Sequence, residues 1–344
     1  MRGFEGAIGL TAARSGTRVT RAWLVLTLVL GACAPDVHCR FDRDCPAAIP
    51  SCGCDGRCQV SVAAVPDAGP DGPPSITVAV VSYRSAPSDT SRAFGIDLDG
   101  QIGGPDRICM PQPDFVSALT GEEGVDNQFM ALSHAVDWDD AVGTTVLAGA
   151  EVLVLEVRPV AADGCAFRVR AWTARFDRAP IALDANCRTC DPAREETCFF
   201  PATGGCVGIA GGQTWRAIDD LGEVDARLIA GRLRTSPFPR VPLLPTIAPN
   251  GMTPVLAPID MHGVVLEADL GATTLRRVEI GGAIAVADLE AWANTHVVGP
   301  SFVLDDTTYR TLFKPDLAPN PLTGECDALS AGFQIGTVGA TLVH

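Results

Sequence analysis

The sequence predicts a mainly β protein: an antiparallel β-sandwich or barrel-like body with a few short helices. Three observations carry that expectation. Short runs rich in Val, Ile and Thr recur from residue 76 onward. Gly, Pro, Asn and Asp punctuate them at turn spacing. Long helical patterns do not alternate with them, as a parallel sheet would require.

Taken in order, Ile76 to Tyr83 is the first β-branched run. Val152 to Val160 and Ala166 to Phe176 flank Asp163-Gly164, a dipeptide that tolerates the positive φ angles of a hairpin turn. In the second of these runs Phe167, Val169 and Ala171 alternate with Arg168, Arg170 and Trp172, so one face is expected to be buried. Further runs lie at Arg227 to Leu233, Val264 to Leu270, Leu275 to Val286 across Gly281-Gly282, and Gly332 to Val343. Helices are expected in three places. Asp126 would cap one through Val136, with Phe129, Leu132 and Val136 on one face; Asp288 would cap a second carrying Leu289, Trp292, Ala293 and His296; Asp305 or Asp306 would start a third through Phe313. The Pro-rich stretch from Pro237 to Pro254 reads as a loop or crossover.

Charge narrows the function. The 344 residues hold 26 basic and 41 acidic side chains, a formal −15, so a polyanion is repelled and nucleic acid is not an expected partner. Lys314 is the one lysine, which leaves neither a Gly-Lys phosphate loop nor Schiff-base chemistry elsewhere in the chain.

Residues 1–32 form the expected signal peptide. Arg2, Arg14, Arg18 and Arg21 precede the 11 uncharged residues Ala22 to Ala32. A membrane-spanning helix needs about 20 apolar residues. The run ends in Leu30-Gly31-Ala32-Cys33, which resembles the lipobox of bacterial lipoproteins. That resemblance implies removal of residues 1–32, a diacylglyceryl group on the Cys33 thiol and an acylated amino terminus. The implied partner is a membrane, reached through the lipid. Two or more acyl chains make such an anchor stable without a spanning helix. Ala34 replaces the aspartate that in this family signals inner-membrane retention, so the resemblance implies outer-membrane anchoring.

Cysteines define the next segments. Beyond Cys33 the chain has a group of five, Cys39, Cys45, Cys52, Cys54 and Cys58, and a group of seven, Cys109, Cys165, Cys187, Cys190, Cys198, Cys206 and Cys326. Twelve is an even number suited to disulfides in an exported protein. Because the groups are odd, either one bridge joins them or each keeps an unpaired thiol. Residues 33–60 are too few to build an apolar core and need covalent staples. Zinc is the alternative there, and metal or redox chemistry the alternative at Cys187-x-x-Cys190. Residues 61–75, rich in Pro, Gly and Asp, read as a flexible linker before the β-rich extracytoplasmic domain of residues 76–344.

A wider resemblance rests on Gly95-Ile-Asp-Leu-Asp-Gly100, Gly124-Val-Asp-Asn-Gln128, the strand at Val152 to Val160, Gly281-Gly282 before Asp288-Leu289, and Cys326-Asp-Ala-Leu-Ser-Ala-Gly332. Together with the acidic linker, these are similar to an extracytoplasmic domain of lipoproteins from myxobacteria, a family without an established activity. The resemblance implies location and architecture only.

Functional expectations follow from these limits. The leading one is a lipid-anchored envelope protein of structural or binding role, with no cofactor, whose partner is an envelope protein or glycan. A calcium-dependent binding module is the second: Asp97, Asp99 and Asp126 would supply oxygens, although an EF-hand's later ligand positions are occupied by residues such as Ile102 and Arg107. Trp138, Trp172, Trp215 and Trp292 could stack on sugars, or pack in the core. An envelope hydrolase is the third. It lacks a G-x-S-x-G or H-E-x-x-H motif, and His38, His134, His262, His296 and His344 are scattered.

Overall fold

In the computed structural model the described residues are chiefly 75–84, 91–98, 114–130, 151–160, 165–177, 207–243, 259–296, 315–319 and 326–344, with short pieces around 45–59, 109, 146, 183–184 and 198–199. A two-strand pair comes first, β1 (Ser51–Cys52) and β2 (Cys58–Gln59). Next are β3 (Ile76–Arg84) and a small sheet of β4 (Arg92–Ala93), β5 (Phe115–Ser117) and β6 (Glu123–Val125). The hairpin of β7 (Val152–Pro159) and β8 (Ala166–Phe176) follows. A second small sheet joins β9 (Leu183–Asp184), β10 (Cys198–Phe199) and β11 (Val207–Ile209). The chain continues through β12 (Gln213–Ile229), β13 (Arg232–Thr235), β14 (Phe238–Leu243), β15 (Ile259–Leu270) and β16 (Leu275–Ala285). Helix α1 (Val286–His296), β17 (Leu317–Pro319) and β18 (Cys326–Val343) complete it.

Eight of these strands close on themselves. The ring runs β12, β8, β7, β3, β18, β16, β15, β13 and back to β12, antiparallel at every step. The body is therefore a barrel rather than a sandwich, and closure removes the free edges that an open sheet would expose. A parallel contact between Gln213–Arg216 of β12 and Ala340–Val343 of β18 adds a second join. β12 carries two register shifts, between Ala217 and Asp219 and between Asp220 and Gly222; bulges of this kind bend a strand.

Strand alternation sorts the two faces. Phe167, Val169 and Ala171 are buried while Arg168, Arg170 and Trp172 are half-exposed, as the alternation predicts. Tyr83, Phe333 and Ile280 belong to the core, where Tyr83 meets Phe333 edge-on with centroids 6.0 Å apart. Directly opposed residues share a face. Stepping through the register from Arg168 to Asp225, then from Arg227 to Arg234, Glu267, Glu279, Gln334 and Arg84, one polar row crosses seven of the eight strands on the outer wall. On β8 and β12 that wall faces solvent. On β16 and β18 it is buried, because the excursion carrying β4 to β6 lies over it.

Several sequence expectations are corrected. The run from Arg227 to Leu233 is not one strand but a two-residue hairpin, with Ile229 opposite Arg232 and both Ala230 (φ 49°) and Gly231 (φ 85°) in the left-handed region. The Pro-rich stretch expected as a loop contributes β14 at Phe238–Leu243, which pairs with β15. Asn127, not Asp126, caps the helix entered at Met130: its Oδ1 accepts from the Met130 N–H at 3.1 Å. Helix α1 begins at Val286, directly after β16, and places Asp288 in its first turn with Leu289 and Trp292 buried. The turn at Asp163-Gly164 and the helix expected at 305–313 lie outside the described residues.

Candidate functional site

Where the excursion meets the outer wall, it closes over a group of charges. The contact is tight because two glycines face each other: a Cβ on Gly332 would stand 2.5 Å from Gly95 Cα and 2.5 Å from the Phe94 carbonyl oxygen. Gly95 itself has φ 141°, a conformation other residues rarely adopt. Asn127 fastens the approach by donating its Nδ2 to Phe94 O at 2.7 Å and to Gly332 O at 3.0 Å. The Arg84 guanidinium lies 5.8 Å from the Phe94 ring centroid. A disulfide between Cys109 and Cys326, with Cα atoms 5.4 Å apart, ties the same excursion to the start of β18.

Under this cover β13, β15 and β16 present Arg232 and Arg234, Glu267 and Asp269, and Glu279. Arg232 reaches Asp269 at 3.0 Å, Glu279 at 3.4 Å and Glu267 at 3.6 Å. Arg234 pairs with Glu267 and donates to the backbone oxygen of Asp97 at 3.4 Å. Arg277 holds the excursion from the other side, through Leu119 O, and pairs with Asp269 at 3.4 Å. Glu279 is 1% exposed and Glu267 8% exposed. The Gly95 N–H donates to Glu279 Oε1 at 3.3 Å. Burial pushes the Glu279 carboxyl up to about 7 and Glu267 pushes the same way, while the Gly95 hydrogen bond, Arg232 and Arg277 pull it down.

Chemically, Glu279 can hold or release a proton near neutrality, a property suited to acid–base work. The space beside it argues for a different use. A cavity of about 20 Å³, lined by Asp97, Glu122, Glu123, Arg234, Glu267 and Glu279 among others, has room for roughly one water molecule. Among the described residues that space is too small for an organic substrate. The geometry is that of a polar latch which seats the excursion.

The residues expected from the sequence fall elsewhere. Cys33, Cys39, Cys187, Cys190, Cys206 and Asp99 lie outside the described residues, and the side chains of Cys52 and Cys198 are not described. Cys45 pairs with Cys58 (Cα–Cα 5.4 Å), Cys54 with Cys165 (5.6 Å) and Cys109 with Cys326. Of the two alternatives left by the odd-numbered groups, a bridge between them is the one found. Asp126 is 2% exposed and its Oδ2 accepts from the Leu98 N–H at 2.8 Å. Asp97 lines the latch cavity. Among the described residues no three His, Cys, Asp or Glu side chains gather in a metal-holding arrangement. His262 stands 3.9 Å from Asp288, beyond hydrogen-bond reach, with both side chains about half exposed.

Trp215 and Trp292 are buried, and Trp138 lies outside the described residues. Trp172 donates to Glu156 at 2.8 Å and is contacted by the Arg170 guanidinium and the His344 ring. The latch charges themselves went unread in the sequence. Their signal was present as Arg-x-Arg at 232 and 234 and Glu-x-Asp at 267 and 269, a period of two that puts each pair on one face of its strand.

The fold so defined is a closed eight-strand antiparallel barrel carrying a disulfide-tied, latched excursion. No family model, curated protein or solved structure matches the chain.

Proposed function

We propose that the protein is a lipid-anchored, acidic, disulfide-pinned barrel of the cell envelope that acts by binding or as a structural element. The observation that carries this reading is the set of three cysteine pairs at disulfide distance among the described residues, two of them joining residues 111 and 217 positions apart. Bridges of this kind persist in oxidising, extracytoplasmic compartments and are rare in the cytosol. The lipobox at Leu30 to Cys33 supplies the matching address, and outer-membrane anchoring through Cys33 is part of the same reading. The wall favours binding over catalysis, because its charges are paired with one another and its cavity admits about a single water. The partner is an envelope protein or a glycan.

Replacing Cys33 by Ser tests this reading. The wild-type protein is expected in the detergent-extractable membrane fraction and Cys33→Ser in the soluble extracytoplasmic fraction. Equal partition of the two would overturn it. Calcium dependence is tested separately by chelation. With Asp126 committed to the Leu98 amide, the thermal midpoint is expected to be the same with and without a chelator. A drop of several degrees on chelation would restore the calcium-dependent module built on Asp97, Asp99 and Asp126.

A further inference from the structure

The composition of residues 61–75 suggests a flexible tether between a Cys-rich head and the barrel, but the cross-links describe a different connection. Cys54 is bridged to Cys165, the residue just before β8. The same Cys54 accepts, through its backbone oxygen, a 3.1 Å hydrogen bond from the Ala230 N–H in the turn between β12 and β13. Cys58, four residues on, is bridged back to Cys45 and pairs in the β1–β2 ladder. On the far side of the linker the chain enters the barrel at Ile76, the first residue of β3, opposite Val157 of β7. Both ends of the linker are thus held to the barrel: one by a covalent bond and a turn hydrogen bond, the other by a strand.

We infer that the Cys54–Cys165 disulfide, not the Pro/Gly/Asp-rich linker, is the mechanical connection between the amino-terminal anchor and the barrel. The linker is then a closed loop that carries no tension. The inference rests on the lipid-anchored reading for what lies at the other end, and on the disulfide for the connection itself. Contour length shows what the bridge changes. From Cys33 to Cys54 is 21 residues, and from Cys33 to Ile76 is 43. The Cys45–Cys58 bridge shortens both paths, to 12 residues before it and then 4 back to Cys54 or 18 on to Ile76. At full extension of about 3.5 Å per residue these correspond to roughly 60 Å and roughly 110 Å. The Cys54–Cys165 bridge therefore cuts by nearly half the greatest distance the barrel can stand from its anchor, and a reductant, by converting both disulfides of the segment to thiols, extends the reach to that of all 43 residues, roughly 150 Å.

A recognition sequence for a specific protease, inserted between Gly69 and Pro70 of the full chain, tests this directly. Membranes bearing the protein are cut, washed with urea without reductant, and separated. The expected result is that the barrel fragment stays in the pellet after cutting and moves to the supernatant when dithiothreitol is added. The same insertion in a Cys165→Ser background is expected to release the barrel on cutting alone. Release of the otherwise wild-type barrel without reductant overturns the inference, and so does retention of the cut Cys165→Ser barrel, which would place the connection in another bridge. If the uncut protein is not membrane-bound, the anchoring reading has failed instead. A non-reducing gel of the cut soluble protein then decides the connection: one band that dithiothreitol splits into two supports it, and two bands without reductant overturn it. Where Cys165→Ser fails to accumulate, a non-reduced peptide map replaces it, with a linked Cys54–Cys165 peptide as support and its absence as refutation.

Discussion

At the scale of single residues, the latch is decided by one carboxyl and two glycines. Glu279 has its folded pKa raised from 4.5 to about 7, so between those values the folded protein holds a proton that the unfolded chain has released. Stability from this group is therefore fully present at low pH, falls as pH rises through that window and is lost above about 7. Glu279→Gln stays neutral throughout. In urea titrations its stability relative to wild type is expected to rise by roughly 2–3 kcal/mol between pH 4.5 and pH 8. A difference that does not change with pH would show that Glu279 is ionised throughout, held by Arg232 and the Gly95 amide. Gly332→Ala tests the close approach. Its Cβ would collide with backbone rather than with a flexible side chain. The expectation is a loss of about 3 kcal/mol, with faster proteolysis around residues 91–126 while the far-UV β spectrum persists. Wild-type stability and protection in this variant would mean that the excursion does not sit on Gly332.

Elements show which local signals are sufficient and which are overridden. β7, β8, β15 and β16 were legible because each buries one face or both and reads as an alternating or continuous apolar run. β12 was not, since its 17 residues include Asp219, Asp220, Glu223 and Asp225, and its bulges break the period of two. Those acids are accommodated by neighbouring strands: Asp220 pairs with Arg170, and Glu223 meets Arg158 at 3.1 Å and Arg168 at 3.3 Å. Cross-strand pairing of this kind cannot be seen along one segment. The missed turn at Ala230-Gly231 has a similar origin, because alanine carries no turn signal although here it adopts φ 49°. Ala230→Asn creates the Asn-Gly dipeptide preferred for this turn and keeps the backbone amide that binds Cys54. It is expected to stabilise the protein by about 1 kcal/mol, read as a higher thermal midpoint. A lower midpoint would show that the turn is not left-handed at this position.

For the whole molecule, closure and cross-linking act together. Eight strands closed on themselves leave no free run of edges to template pairing with another chain. Among the described residues two bridges then fix to the barrel the segments that leave it, and a third closes the amino-terminal segment on itself. A sandwich or a barrel could be expected from strand number and spacing, with closure left open, but the latch could not: Glu279 and Gly95 are 184 positions apart, and no local pattern joins them. The partner is not written in the sequence either, since the described wall charges, such as Arg170 with Asp220 and Arg232 with Asp269, are paired with one another. Location is the premise on which the bridges, the tether and the envelope role all depend. It is tested most directly by mass spectrometry of the amino-terminal peptide of the membrane-extracted protein. The expected peptide begins at Cys33 and carries the mass of a diacylglyceryl group with or without a third acyl chain. An unmodified peptide beginning at any other residue would contradict the lipid anchor.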